Sequence, residues 1–475
     1  MTNMAERRFS EQDQQRFAAA SGDYNPMHVD AMFSRRTQAG APVVHGLHLL
    51  LWTLDSLAAN HPNLPPVRKV RVQFYKFAYL NELARVELVQ QRSESMRLQV
   101  AVERAVRIKV HLEFGDSQEE LPIWIDSAHT EFPRHPEALD MPFSSFQGQS
   151  GLLPLQAEAG LQASMFPFAT RWLGPRAVAA LMASTHLVGM VIPGLHSVYS
   201  ELAVRRCVDD PGNPWLAFRV QEADPRFRTV DFEVGGGGFT GTINAVARTP
   251  PVTQATIESL TQLIAPNQFA NAVALIIGGS RGLGELTAKI IAAGGGKPII
   301  TWLIGRSDAE KVADEIRTAG RDCETLAYDA RKSAAPQIAS LVDAPTHMYY
   351  FATPAIFRPQ TRIYDPERLR DLLTVYVDGF SDLVLELLTR CPNLSVFYPS
   401  SVAVTERPDG MLEYTMAKAT GEILCEEMKS AIGPARITQV RLPRLPTDQT
   451  ASVVEVETAD PVMTMLPIIE LVQSR

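Results

Sequence analysis

Residues 21–30 read SGDYNPMHVD and hold two groups that can move protons near neutral pH, Asp23 and His28. Asn25-Pro26 lies between them. Proline has no N–H and a fixed φ, and asparagine tolerates turn geometry, so regular helix should stop there. Such a turn brings Asp23 and His28 side by side although they stand five positions apart. The apolar run VVHGLHLLLW, residues 43–52, follows and is expected to be a buried helix. A polar, proline-broken turn against an apolar helix suits acid/base chemistry in a dry pocket. The plainer alternative is a helix-stop turn whose Asp23 caps a helix and whose His28 faces solvent.

A second constellation lies near the C-terminus. FYPSSVAV reads as a strand containing Ser400-Ser401, and YTMAK follows on a helix. Ser401 precedes Tyr414 by thirteen residues, and Lys418 follows it by four, on the same helical face. A nearby ammonium lowers a phenol pKa, so Tyr414 could protonate an alkoxide as hydride arrives, with Ser401 holding the carbonyl oxygen. Upstream, AVALIIGGSRGLGELTAKIIAAG reads as strand, Gly-rich turn and helix. Gly278, Gly282 and Gly284 let the backbone approach a pyrophosphate, with Ser280, Arg281 and Leu283 in the same turn. The helix start offers free N–H groups and a positive dipole end. The next strand, IITWLIGRS, ends without the acidic residue that would hold a ribose 2′-hydroxyl. Arg306 stands there, and with Arg281 it fits a 2′-phosphate, so NADPH is expected over NADH. Two ordinary surface arginines are the alternative. Asp329, ending a third strand ETLAYDA, is placed to accept from an adenine amine.

The elements that must position these groups fall into blocks. FSEQDQQRFAAA, residues 9–20, has a helical pattern with Ser10 as N-cap. From Val67 onward VRKVRVQFYKFAYL, ARVELVQQ, RLQVAVERAV and IKVHLEF read as successive strands. A long apolar helix followed by antiparallel strands implies a sheet wrapped on a helix, an α+β layer. VVHGLH at 43–48 and VIPGLH at 191–196 share Val, Gly, Leu and His in register, and strand-like runs follow both. We read a duplicated unit in which only the first copy keeps the DxNPxH turn. Past residue 270 strands alternate with helices, the pattern of a doubly wound parallel sheet. The expected division is 1–125, a linker over 126–163, a degenerate second copy over 164–250, a linker over 251–269, and 270–475.

The chain has 475 residues, 45% hydrophobic and 21% charged, values of a soluble globular protein. Its net charge of −8 and lack of a basic block argue against nucleic-acid binding. No apolar run approaches a membrane span, and the polar N-terminus lacks a signal-peptide core. The four cysteines are scattered with no CxxC pair, so neither structural zinc nor a disulfide framework is expected, and a reduced cytoplasmic chain fits.

GDYNPMHVD with the downstream VVHG resembles the MaoC-like (R)-specific enoyl-CoA hydratase/dehydratase family, over about residues 6–115. The resemblance implies a hotdog fold, with Asp23 and His28 as the acid/base pair, Asn25 as support and the Gly46 N–H polarising a thioester carbonyl. Residues 165–250 look like a second, degenerate hotdog, to which no catalytic role carries over. Residues 270–475 resemble the short-chain dehydrogenase/reductase family, which implies a Rossmann fold with the glycine turn for cofactor and Ser401, Tyr414 and Lys418 for catalysis. Departures are visible. The family's NNAG reads Phe351-Ala352-Thr353-Pro354 here, its helical Asn reads Tyr376, and its PG reads Pro443-Arg444. Together the resemblances imply reduction of a 3-oxoacyl thioester and dehydration of the 3-hydroxyacyl product, in fatty-acid or polyketide chemistry. The substrate would ride on CoA or an acyl carrier protein, and a homodimer is allowed. The alternatives are a hydratase with a weak nucleotide-binding domain, and a non-catalytic acyl-binding scaffold.

Overall fold

β1 (Thr2–Arg8) runs straight into α1 (Glu11–Ser21), which opens on a reciprocal cap. Ser10 accepts from Asp13 N through its hydroxyl, while the Asp13 carboxylate accepts from Ser10 N. This computed structural model describes residues 2–117, 119, 120, 122, 130–132, 136–155, 159–208, 212–354, 356, 364–433, 436–448 and 457–474. The chain divides into two compact units, with the boundary between Pro250 and Pro251.

In the first unit, α2 (Gly46–Asn60) precedes β2 (Val67–Phe74), β3 (Leu83–Gln91), β4 (Ser95–Val102) and β5 (Ala105–Phe114). The stretch RLQVAVERAV, expected as one strand, is two. It reverses at Glu103-Arg104, with Glu103 at φ 53°. No glycine or asparagine marks that turn, which is why the residue types hide it. Then β6 (Ser150–Pro154) leads to α3 (Pro175–His186), which continues as a π turn over Leu187–Val191. β7 (Ser197–Arg206), β8 (Trp215–Asp224), β9 (Thr229–Gly236) and β10 (Phe239–Ala247) complete the unit.

These ten strands form one antiparallel sheet in the order β1-β3-β4-β5-β2-β7-β10-β9-β8-β6. From each edge inward the path is the same, β1-β3-β4-β5-β2 and β6-β8-β9-β10-β7, so the unit is built twice. β2 and β7 join the halves, with Lys69 to Gln73 opposite Arg205 to Glu201 and an Arg71–Glu201 ion pair of 2.7 Å on the seam. α2 and α3 feed a single buried core with the inner residues of both halves.

Two more expectations are corrected in this unit. β6 lies within the stretch taken as the linker 126–163, so the second half starts by Ser150. The match of VIPGLH to VVHGLH is a coincidence of letters. Gly46 begins α2, whereas Gly194–His196 is a 3₁₀ turn after the helix has ended, leading into β7. The counterpart of α2 is α3.

The second unit holds β11 (Val273–Ile277), α4 (Gly282–Ala293), β12 (Lys297–Trp302), α5 (Arg306–Thr318), β13 (Glu324–Ala327), β14 (His347–Tyr350), β15 (Ser395–Ser401), α6 (Leu412–Ile432) and β16 (Ile437–Leu442). All six strands are parallel, in the order β13-β12-β11-β14-β15-β16. Strand periodicity fills two cores. Ala274 and Ile276 pack with α4, α5 and the helix Pro461–Gln473, while Leu275 and Ile277 pack with Phe380–Arg390 and α6. Helices therefore cover both faces, the doubly wound arrangement with its switch point between β11 and β14. The segment 251–269, expected as a linker, contributes Ile257, Leu260, Ile264 and Phe269 to the first of these cores. Among the described residues, no helix is long and apolar enough to cross a membrane.

Candidate active sites

The Asp23–His28 turn is set by its own side chains. Gly22 closes α1 at φ 77°. The Asp23 carboxylate then accepts from Asn25 N at 3.2 Å, an Asx turn, and Asn25 Oδ1 accepts from Met27 N at 3.1 Å, capping the single turn Pro26–Val29. The turn presents His28, whose Nδ1 lies 2.8 Å from Val43 O. A carbonyl only accepts, so Nδ1 carries the proton and Nε2 of neutral His28 keeps its lone pair.

Asp23 is 1% exposed. Its Oδ2 accepts from Thr185 Oγ1 at 2.7 Å. Asn25 Nδ2 donates to Gly189 O at 2.7 Å and to Gly194 O at 3.0 Å. Thr185 belongs to α3 and Gly189 to its π turn. The second half, expected to be degenerate and without the DxNPxH turn, thus supplies hydrogen-bond partners to the turn of the first. A π turn shifts the helical bonding by one residue and turns a carbonyl out to another donor. The sequence did carry a signal here, since Ser184-Thr185-His186 interrupts an otherwise apolar helix.

His45 lies under the turn. Its ring stacks on His28 at 3.8 Å, its Nδ1 faces Gln14 Oε1 at 2.9 Å and its Nε2 faces Asp23 O at 3.0 Å. Gln14 Oε1 also accepts from His45 N. Gln14 is buried on a helix whose composition gave no hint of it. Asp23, His28 and His45 bring one potential ligand atom each within 4.8 Å of one another. Both His45 nitrogens and His28 Nδ1 already face oxygens, so the set reads as a hydrogen-bonded proton site. Removal from water lowers the His28 pKa; the Asp23 charge and the Val43 carbonyl raise it, and Arg248 lowers it further. His28 is therefore a neutral base at neutral pH. Gly46, next to His45, opens α2, and the first amides of a helix have no acceptor inside it. The Phe74 ring lies 2.7 Å from where a Gly46 side chain would begin.

In the second unit the strand-turn-helix forms as the residues require. Gly278 has φ 78°, and a side chain there would meet Ala352 N at 2.9 Å. Gly284 lets α4 pack against the Gly278 carbonyl. Ser280 and Arg281 complete the turn, and Gly282 and Leu283 start α4. This cradle fits a dinucleotide pyrophosphate at a helix N-terminus. Arg306 is exposed at the start of α5, beside Trp302. Arg281, expected with Arg306 at a 2′-phosphate, faces Asp448 at 3.6 Å. The Asp329 carboxylate caps its own turn, accepting from Arg331 N at 3.1 Å with Lys332 at 3.6 Å.

Ser401 ends β15, and Tyr414 and Lys418 share one face of α6. Burial raises the Tyr414 phenol, and the Ser401 hydroxyl bonded to it pulls the other way. The expected lowering by Lys418 is not what the structure shows. Lys418 Nζ donates to Pro399 O at 2.7 Å and lies 4.0 Å from the Tyr376 ring centroid, against 6.0 Å for Tyr414. Burial brings Lys418 down to about 7. Tyr376 sits on a π turn, Thr374–Gly379, and its hydroxyl bonds Thr353 Oγ1.

A proton-transfer pair held between two helix-on-sheet halves defines the first unit, and a parallel dinucleotide-type sheet defines the second. Residues 2–111 match the family model described as MaoC like domain, so a MaoC-like domain occupies the N-terminus. Comparison with curated proteins finds no match. Among solved structures, a short-chain dehydrogenase from Burkholderia cenocepacia in complex with NADP is 20% identical, covering 43% of this chain and 92% of that one, TM-score 0.39. A 3-oxoacyl (acyl-carrier-protein) reductase from Agrobacterium tumefaciens with NADP bound is 18% identical, covering 38% and 74%, TM-score 0.35. An acetoin dehydrogenase from Salmonella typhimurium is 18% identical, covering 42% and 88%, TM-score 0.37.

Proposed function

We propose that the first unit dehydrates a 3-hydroxyacyl thioester to a trans-2-enoyl thioester, or runs the reverse hydration, and that the second reduces a 3-oxoacyl thioester with NADPH. The observation that carries the reading is the buried Asp23–Asn25–His28 turn, bonded into both halves of its unit. His28 Nε2 takes the α-proton while the Gly46 N–H steadies the enolate-like oxygen at the positive end of α2. The imidazolium so formed, beside the Asp23 carboxylate, returns the proton to the departing hydroxyl, which leaves as water. In the second unit the Gly278–Gly284 turn and Arg306 would hold NADPH, which supplies hydride when bound. Ser401 orients the carbonyl oxygen and Tyr414 protonates it. The acyl group rides on CoA or on a carrier protein.

The test is product analysis by mass after incubation with NADPH and a 3-oxoacyl thioester. We expect the 3-hydroxy and the enoyl products. Asp23→Asn and His28→Ala each stop the second step by about 10²- to 10⁴-fold, and Tyr414→Phe stops NADPH consumption. Unchanged dehydration in the first pair would overturn the first assignment. A second reading, dehydration with a weak reductase, is favoured by Tyr376 lying under Lys418 and by Asp448 pairing with Arg281. Dehydration without cofactor oxidation would select it.

A further inference from the structure

Arg248, the residue after β10, is 1% exposed. Its Nη2 donates to Leu195 O at 2.9 Å, its Nε meets no acceptor among the described residues, and the Phe33 ring centroid lies 5.9 Å from its guanidinium carbon. Among the described residues no carboxylate pairs with it. The other deeply buried arginines differ: Arg107 pairs with Glu82 at 3.2 Å and Arg368 with Glu413 at 3.9 Å. A buried cation without a counter-charge is costly and is not kept for stability.

Its place is at the site. The Leu195 carbonyl it binds also lies 3.5 Å from Asn25 Nδ2, and Phe33 lies on the short helix Ala31–Ser34 that follows the His28 turn. One carbonyl therefore separates the guanidinium from the proton-transfer turn. Burial lowers Arg248 only to about 10, so it stays charged at neutral pH.

We propose that Arg248 is an anion-recognition subsite of the N-terminal site, which takes a carboxylate borne on the acyl group of the substrate. This rests on the dehydratase reading above. One guanidinium matches one carboxylate in charge and fork geometry. The phosphates of a CoA or carrier arm are strongly hydrated and belong at a pocket mouth, whereas Arg248 is interior.

The experiment compares two 3-hydroxyacyl-CoA thioesters of equal length, one ending in a carboxylate and one in methyl, on the full chain and on Arg248→Gln and Arg248→Lys. We expect the acid to be preferred, and Arg248→Gln to cost the acid on the order of 100-fold more in kcat/KM than it costs the methyl substrate. Arg248→Lys, keeping the charge, should retain part of the preference and shows that the fold tolerates change there. Equal turnover of both substrates, or equal losses in the variant, would overturn the subsite. Repeating the series with pantetheine thioesters, which lack the nucleotide phosphates, separates the sources. A loss that follows the phosphates rather than the acyl carboxylate also overturns it. A third arm measures binding of a carboxylate-ended, non-reactive acyl-CoA by calorimetry. No turnover of either substrate removes the dehydratase reading, and this arm still decides the subsite: Arg248-dependent binding supports it and Arg248-independent binding refutes it.

Discussion

Thr185 is the side chain that ties the second half to the chemistry, because it donates to the Asp23 carboxylate at 2.7 Å where almost no water reaches. A bond to a buried charged group is worth about 1.5–3 kcal/mol, so Thr185→Val should lower dehydration by about 10- to 100-fold. Thr185→Ser keeps a hydroxyl and should restore most of it. A valine variant with full activity would remove Thr185 from the site. His48 offers the opposite case. It is buried among Phe9, Phe17 and Phe166, and neither ring nitrogen has a hydrogen-bond partner among the described residues. Burial holds it near 3, so it is neutral when folded. The unfolded chain protonates it below about pH 6.5 and the folded chain does not. Stability should therefore fall as the pH drops from about 6.5 toward 3, by roughly 1.4 kcal/mol per unit from this group alone. His48→Phe should raise Tm at neutral pH and flatten that slope, as thermal melts across the range would show.

At the scale of elements, what was legible in the sequence is what is decided locally. Asp23, Asn25 and Pro26 build their turn from bonds two residues long, so their types declare it. The glycine turn before α4 is local in the same way. β1 was missed because it is a polar edge strand that alternates only weakly. Thr185 and Gly189 reach the turn from more than 150 residues away, with Arg248 one carbonyl behind them, and no local pattern records such a meeting. The hidden contacts also change what the Gly-rich turn can do. Asp448 follows β16 and sets a carboxylate against Arg281, in the cradle where phosphate would sit. Its repulsion opposes an anionic cofactor. Asp448→Asn should tighten NADPH binding several-fold by fluorescence titration, with a weaker salt dependence. Unchanged affinity would place the pyrophosphate elsewhere.

The first unit is one sheet rather than two joined domains, and that decides how the molecule can be cut. β2 and β7 pair along the middle, and α2 and α3 share a core. A fragment of residues 1–125 would bare the long β2 edge, lose Thr185 and leave the Asn25 amide without Gly189 and Gly194. An open edge with an exposed apolar face aggregates. We expect that fragment to be insoluble or inactive even though it contains Asp23, His28 and Gly46. Residues 1–250 keep every strand of the sheet and both helices, and should fold and dehydrate a 3-hydroxyacyl thioester at a rate within a few-fold of the full chain. Urea unfolding of that fragment should give a single transition, because one core spans both halves. Two separate transitions, or an active 1–125 fragment, would mean that the halves are independent and that α3 is only a neighbour of the site.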